Sequence, residues 1–127
     1  MKLTISSEEY LNAIYTLSLQ TSSVRITDIA NYLNVQKSSV NTAINNLKEE
    51  ELIHYEKYKE ITLTEKGLSC AKYIYKRHEV FKKFLNEILK VDETLADKES
   101  EQLAHCVSCH TMAKLETFIC ELLKNKE

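Results

Sequence analysis

Apolar residues recur at helical spacing from near the start of the chain. Leu11, Ile14, Tyr15 and Leu17 follow Ser6-Ser7-Glu8-Glu9, a capping hydroxyl with acids behind it, and predict a helix over residues 7–20. Thr21-Ser22-Ser23 interrupts that pattern. Ile29, Ala30 and Leu33 then make one face of a short helix capped by Thr27. Asn34-Val35-Gln36-Lys37 forms a turn, and Ser38 opens a third helix with Val40, Ala43, Ile44 and Leu47 facing inward. Two short helices joined by so tight a turn match a helix-turn-helix.

The period changes after the third helix. Residues 52–56 (Leu-Ile-His-Tyr-Glu) read as one strand and residues 59–64 (Lys-Glu-Ile-Thr-Leu-Thr) as a second, with Lys57-Tyr58 at the hairpin tip. Helix-turn-helix followed by a basic hairpin is a winged helix. From Glu65 towards Leu89 a long helix carries an apolar stripe of Ala71, Ile74, Tyr75, Phe81, Phe84, Leu85 and Ile88. Further helices carry Leu103, Val107 and Met112, then Leu115, Phe118, Ile119, Leu122 and Leu123. The expected architecture is mainly α: a winged helix-turn-helix over residues 1–65, then a helical domain over 66–127. So much apolar helix exceeds what a winged helix of about 65 residues needs, which implies a partner surface. A two-fold homodimer would set two recognition helices roughly 34 Å apart and read a palindromic operator. The alternative is a monomer with a self-contained helical cap.

Composition refines this picture. Of 127 residues, 43% are hydrophobic and 28% charged, enough for a real core. With no proline and one glycine, Gly67, the chain has no flexible linker. It has no membrane-spanning run and no secretion signal, so a cytoplasmic protein is expected, with its four cysteines reduced. The net charge of −2 does not itself favour DNA. Positive charge is instead local, with Lys37 at the third helix and Lys57 and Lys59 on the wing. Ser38, Ser39, Asn41, Thr42 and Asn45 point away from the core. Such side chains can contact phosphates, and an asparagine can read adenine in the major groove. The alternative is an ordinary polar helix face and a wing whose lysines prevent edge association. No glycine-rich phosphate loop or acid–base pair suggests an enzyme or a small-molecule substrate.

Glu9-Tyr10-Leu11-Asn12-Ala13-Ile14-Tyr15, Arg25-Ile26-Thr27-Asp28-Ile29-Ala30 and Val35-Gln36-Lys37-Ser38-Ser39-Val40 resemble the opening of the diphtheria-toxin-repressor family of metal-dependent regulators. The resemblance continues through residues 52–58, Leu63-Thr64-Glu65-Lys66-Gly67, Arg77-His78-Glu79 and Glu101-Gln102-Leu103-Ala104-His105. Ending without an SH3-like third domain, the chain is similar to the two-domain manganese-transport-regulator branch. The resemblance implies that the C-terminal helices dimerise and that a divalent transition metal (manganese or iron, with zinc possible) promotes operator binding. The expected DNA-contacting set also includes Arg25, Thr27 and Tyr58.

Carried over residue by residue, the metal ligands are Glu9, His78, Glu101 and His105. The last two are four apart, so they share one helical face. Cys109, four further on, would extend that face and draw selectivity towards thiophilic ions, and Cys106 and His110 repeat the spacing. The alternative for both cysteines is a small core residue. The sequence departs from the family at Asn12 and Ala104, where glutamates are expected. Lys82 and Asp97 stand where iron-responsive members build an ancillary site. These departures favour a single ion over a binuclear centre. They also leave open a winged-helix regulator with a degenerate metal site, thiol-responsive or effector-independent, or a module that no longer binds DNA.

Overall fold

The computed structural model describes residues 5–125, with Ile5 and Cys109 described through their backbone alone. The elements run α1 (Ile5–Gln20), α2 (Ile26–Leu33), α3 (Lys37–Glu49), β1 (Ile53–His54), β2 (Thr62–Leu63), α4 (Glu65–Lys83), a π-helical turn (Phe84–Ile88), α5 (Glu93–Ala104) and α6 (Cys109–Lys124). They form two compact units, Met1–Tyr73 and Ile74–Glu127.

In the first unit α1, α2 and α3 pack together around Leu11, Ile14, Ile29, Val40, Ile44, Leu47 and Leu52, all fully buried. Burying side chains of this size stabilises a fold by about 1.5–3 kcal/mol each. Arg25, rather than the expected Thr27, caps α2: its N–H donates to Asp28 Oδ2 at 2.9 Å, and Thr27 lies exposed in the first turn. The turn after α2 is closed by Asn34 in the left-handed region (φ 56°), where a short amide side chain is tolerated. α3 starts one residue before the expected Ser38, with Gln36 at its cap.

The wing is present but its ladder is short. Ile53 pairs with Leu63 and His54 with Thr62, antiparallel. The strand expected over 59–64 does not extend the hairpin at Ile61, because the Ile61 N–H is given to the Val24 carbonyl at 2.7 Å. Val24 thereby anchors the base of the wing to the chain between α1 and α2. At the tip Tyr58 has φ 65° and is 82% exposed.

The first unit extends past the expected boundary at 65/66 because the start of α4 is tied to it. A Cβ on Gly67 would land on the Leu52 carbonyl oxygen, so only glycine lets α4 lie against that backbone. Lys66 Nζ donates to the Glu50 carbonyl at 3.0 Å, and Thr64 Oγ1 to that of Glu51 at 2.7 Å.

In the second unit the long helix reaches the expected length, but its last turn widens. The Leu89 N–H bonds the Phe84 carbonyl at 3.1 Å, a five-residue step, and Lys90 (φ 63°) ends the helix. Asp92 caps α5 by accepting from the Leu95 N–H at 3.3 Å. Ser108 caps α6 by accepting from the Thr111 N–H at 3.2 Å. Phe81, Ala104 and Met112 form a small core, with Val80, Val107 and Leu115 packed against it. Tyr75 does not join the stripe predicted for it: it is exposed, while Ile74 beside it is buried. Among the described residues no helix is long and apolar enough to cross a membrane.

Candidate nucleic-acid interface and metal centre

α3 is divided cleanly between two faces. Val40, Ile44 and Leu47 are buried, while Lys37, Ser38, Ser39, Asn41, Thr42 and Asn45 are all exposed. Thr42 donates its hydroxyl to the Ser38 carbonyl at 3.1 Å, a bond within the helix. The exposed face thus offers two asparagine amides, two serine hydroxyls and a lysine near the helix start, on a helix that its buried face holds rigidly. Asparagine can bond base edges bidentately, whereas serine and lysine suit phosphate oxygens.

The wing is held to the helix-turn-helix by a residue expected to touch DNA. Arg25 Nη1 donates to the Tyr58 carbonyl at 3.0 Å, spanning 33 positions of sequence. Local sequence carries no signal of that bond, since it depends on the hairpin folding back beside α2. Arg25 remains exposed and therefore places the wing tip as well as adding charge. Lys57 Nζ lies 5.1 Å from the centre of the Tyr58 ring, a cation–π distance. Lys59 pairs with Glu56 at 2.9 Å, and with 70% and 73% of these side chains exposed the pair is weak enough for a phosphate to compete.

The proposed ligands fall in both units. Glu9 is exposed on α1, and one turn on, Asn12 Oδ1 is buried without a hydrogen-bond partner. That oxygen is a neutral donor where the resemblance expects a carboxylate. On α5, Asp97, Glu101 and His105 follow at four-residue steps, with Glu101 exposed and His105 half-buried at the helix end. His78 of α4 faces this row at its Asp97 end. Its Nε2 lies 3.1 Å from the Asp97 carbonyl and 3.4 Å from Asp97 Oδ1. Among the described residues no three His, Cys, Asp or Glu side chains gather closely enough to hold an ion. By donor chemistry the helical unit's His78, Glu101 and His105 suit a hard or borderline divalent ion.

The predicted extension of that row to Cys109 is corrected. α5 ends at Ala104 and α6 starts at Cys109, with Ser108 in extended conformation between them, so the four-residue step from His105 does not follow a helix. The Cys109 side chain lies outside the described residues. Cys106 is likewise off the helix, in the turn, with Sγ 3.5 Å from the Gln102 carbonyl, and is not in helical register with His110. The signal for the break is Ser108-x-x-Thr111, a capping pattern set within otherwise helical sequence.

Comparison with known proteins covers both units. Residues 2–61 match the iron-dependent repressor N-terminal DNA-binding domain. Residues 64–125 match the iron-dependent repressor metal-binding and dimerisation domain. An uncharacterised helix-turn-helix-type transcriptional regulator of Methanocaldococcus jannaschii is 36% identical over 122 residues, which cover 95% of this chain and 97% of the relative. The transcriptional regulator MntR of Bacillus subtilis is 35% identical over 112 residues, 88% of this chain and 78% of the relative. Among solved structures, a manganese-dependent transcriptional repressor in complex with manganese superposes with a TM-score of 0.81 at 26% identity. That match covers 89% of this chain, which spans about half (52%) of the longer protein.

Proposed function

The chain belongs to the iron-dependent repressor family, the diphtheria-toxin-repressor family of metal-responsive DNA-binding transcriptional repressors, and from that premise we propose that it binds a palindromic operator as a homodimer under the control of one divalent ion per protomer. The observation that carries this reading is the exposed polar face of α3, backed by three buried apolar residues, in a chain whose remainder matches a metal-binding and dimerisation domain.

Asn41 and Asn45 read base edges in the major groove, and Thr27, Lys37, Ser38 and Ser39 hold the flanking phosphates. Thr42 sits between them on the same face. Lys57, Tyr58 and Lys59 follow the backbone beside the wing, at a place set by Arg25. The genes controlled are those of metal uptake or homeostasis. The ion, manganese or iron, is held by Glu9, His78, Glu101 and His105, with Asn12 Oδ1 as a neutral fifth donor. When bound it supplies the positive charge that keeps these carboxylates and imidazoles together. Glu9 belongs to α1 of the DNA-reading unit, so occupancy and DNA reading are coupled, by about 5–150-fold in operator affinity if the coupling is of ordinary size. Cys109 is left out of the set because the α5–α6 break removes the periodicity that grouped it.

The test is selection of DNA from a random pool, followed by binding with and without manganese, iron(II) and zinc. His105→Ala should abolish the metal dependence while leaving the fold intact. A second reading is favoured by Asn12 and Ala104 standing at expected glutamates, together with the exposed Cys106: a regulator that ignores metal and answers to thiol oxidation or to nothing. Metal-independent operator binding would establish that alternative.

A further inference from the structure

The helical unit carries an ion-pair cluster that binding by the proposed ligands does not by itself require. Lys82 on α4 places Nζ 3.5 Å from Asp97 Oδ1 on α5, and the same oxygen lies 3.4 Å from His78 Nε2. The cluster is partly shielded, with the His78 side chain 17% and that of Lys82 30% exposed. His78 and Lys82 are one helical turn apart on α4, so both reach the same carboxylate.

We propose that Lys82 is a resident counter-charge: it anchors Asp97, which holds Nε2 of His78, and it takes the place that a second cation would occupy. Two consequences follow from the chemistry. An imidazole whose Nε2–H is donated to Asp97 keeps its lone pair on Nδ1, so Nδ1 is the atom His78 offers an ion; partners of this kind routinely fix the tautomer of a ligating histidine. A second divalent ion against His78 and Asp97 would have to strip Lys82 from the carboxylate and then sit beside its ammonium. An ammonium is a donor with no lone pair to give a metal, and the two positive charges repel. The helical unit therefore admits one ion per protomer, and Lys82 is the residue that sets the count.

Because His78 serves as a ligand only under the function proposed above, the experiment must separate the two claims. The full-length protein is titrated with manganese, with free ion followed by electron paramagnetic resonance, and folding checked by circular dichroism. One ion per protomer is expected for the wild type. Lys82→Glu and the uncharged Lys82→Gln should both take up a second ion, Lys82→Glu the more tightly. In Asp97→Asn, whose site is 56% exposed and tolerant of change, the affinity for the first ion should fall 10–100-fold. Nitrogen-15 spectra should show the Nε2–H tautomer of His78 in the wild type and its retention in Asp97→Asn, where the main-chain carbonyl of residue 97, 3.1 Å from Nε2, still accepts; general destabilisation would not keep it. Two ions in the wild type, or a single ion in both Lys82 variants, overturns the role of Lys82 while leaving metal control standing. No ion in the wild type removes metal control itself, and the role of Lys82 with it.

Discussion

The two units of this chain differ in the size of the side chains they bury completely. Among the described residues the largest fully buried side chains are Leu11, Ile14, Ile29, Val40, Ile44, Leu47, Leu52 and Ser100, and of these only Ser100 lies in the helical unit. The first unit closes a core of its own. The second leaves Leu89, Leu95, Leu103 and Phe118 at 39–54% exposure on its helices. Apolar surface of that extent on short helices is what a second copy would cover, in keeping with a dimerisation domain. The first unit also exposes apolar side chains, Leu19, Tyr32 and Val35 among them, so the buried set assigns stability to the reading head, and the match to a dimerisation domain assigns association to the helices.

If so, truncation in the two units should have opposite signatures. The largest effect is expected for Ile44→Ala, a loss of about 2–5 kcal/mol in denaturant unfolding, because a fully buried isoleucine leaves a cavity under α3. Gly67→Ala follows, at about 1–3 kcal/mol by the same measurement, because its methyl group meets the Leu52 carbonyl and α4 must shift. Phe118→Lys should leave the head's fold unchanged yet weaken self-association by about 2 kcal/mol, read by sedimentation across a concentration series. A matching loss of stability in Phe118→Lys without a change in association would erase the contrast between the units.

Smaller effects sharpen the picture within the head. Asn45→Ala should cost about 1–3 kcal/mol of operator binding and relax the preference at one base pair. Lys37→Ala should weaken binding evenly across sequences and lower its salt dependence by about one ion. Equal losses on specific and unspecific DNA for Asn45→Ala would mean that Asn45 touches only the backbone.

Much of the head could be read from sequence because its helices carry one apolar face each, and because Asn34 marks the turn where the chain must enter the left-handed region. The wing was legible as an element but not in its pairing. Ile61 alternates like a hairpin residue, yet its N–H bonds Val24, which stands alone after a polar break and gives no strand pattern. In the helical unit, residues 105–107 continue a helical rhythm without glycine or proline, so the break before Cys109 rested on one capping serine. Tyr75 illustrates a further limit: an amphipathic ring fits either side of a stripe, and here it lies outside. The widened turn at Phe84–Ile88 arises from backbone bonding that no residue type announces. Of the site, the Glu101–His105 spacing was visible at once, whereas the Arg25–Tyr58 and Lys82–Asp97 ties join elements distant in sequence and needed the fold.

The most direct test of the account is the affinity of the full-length protein for a DNA sequence enriched in its presence, measured in manganese or iron(II) and again after chelation. Tightening by about 5–150-fold with metal, abolished in His105→Ala, is the predicted result. The same affinity with and without metal, in wild type and variant alike, would contradict metal control of this repressor.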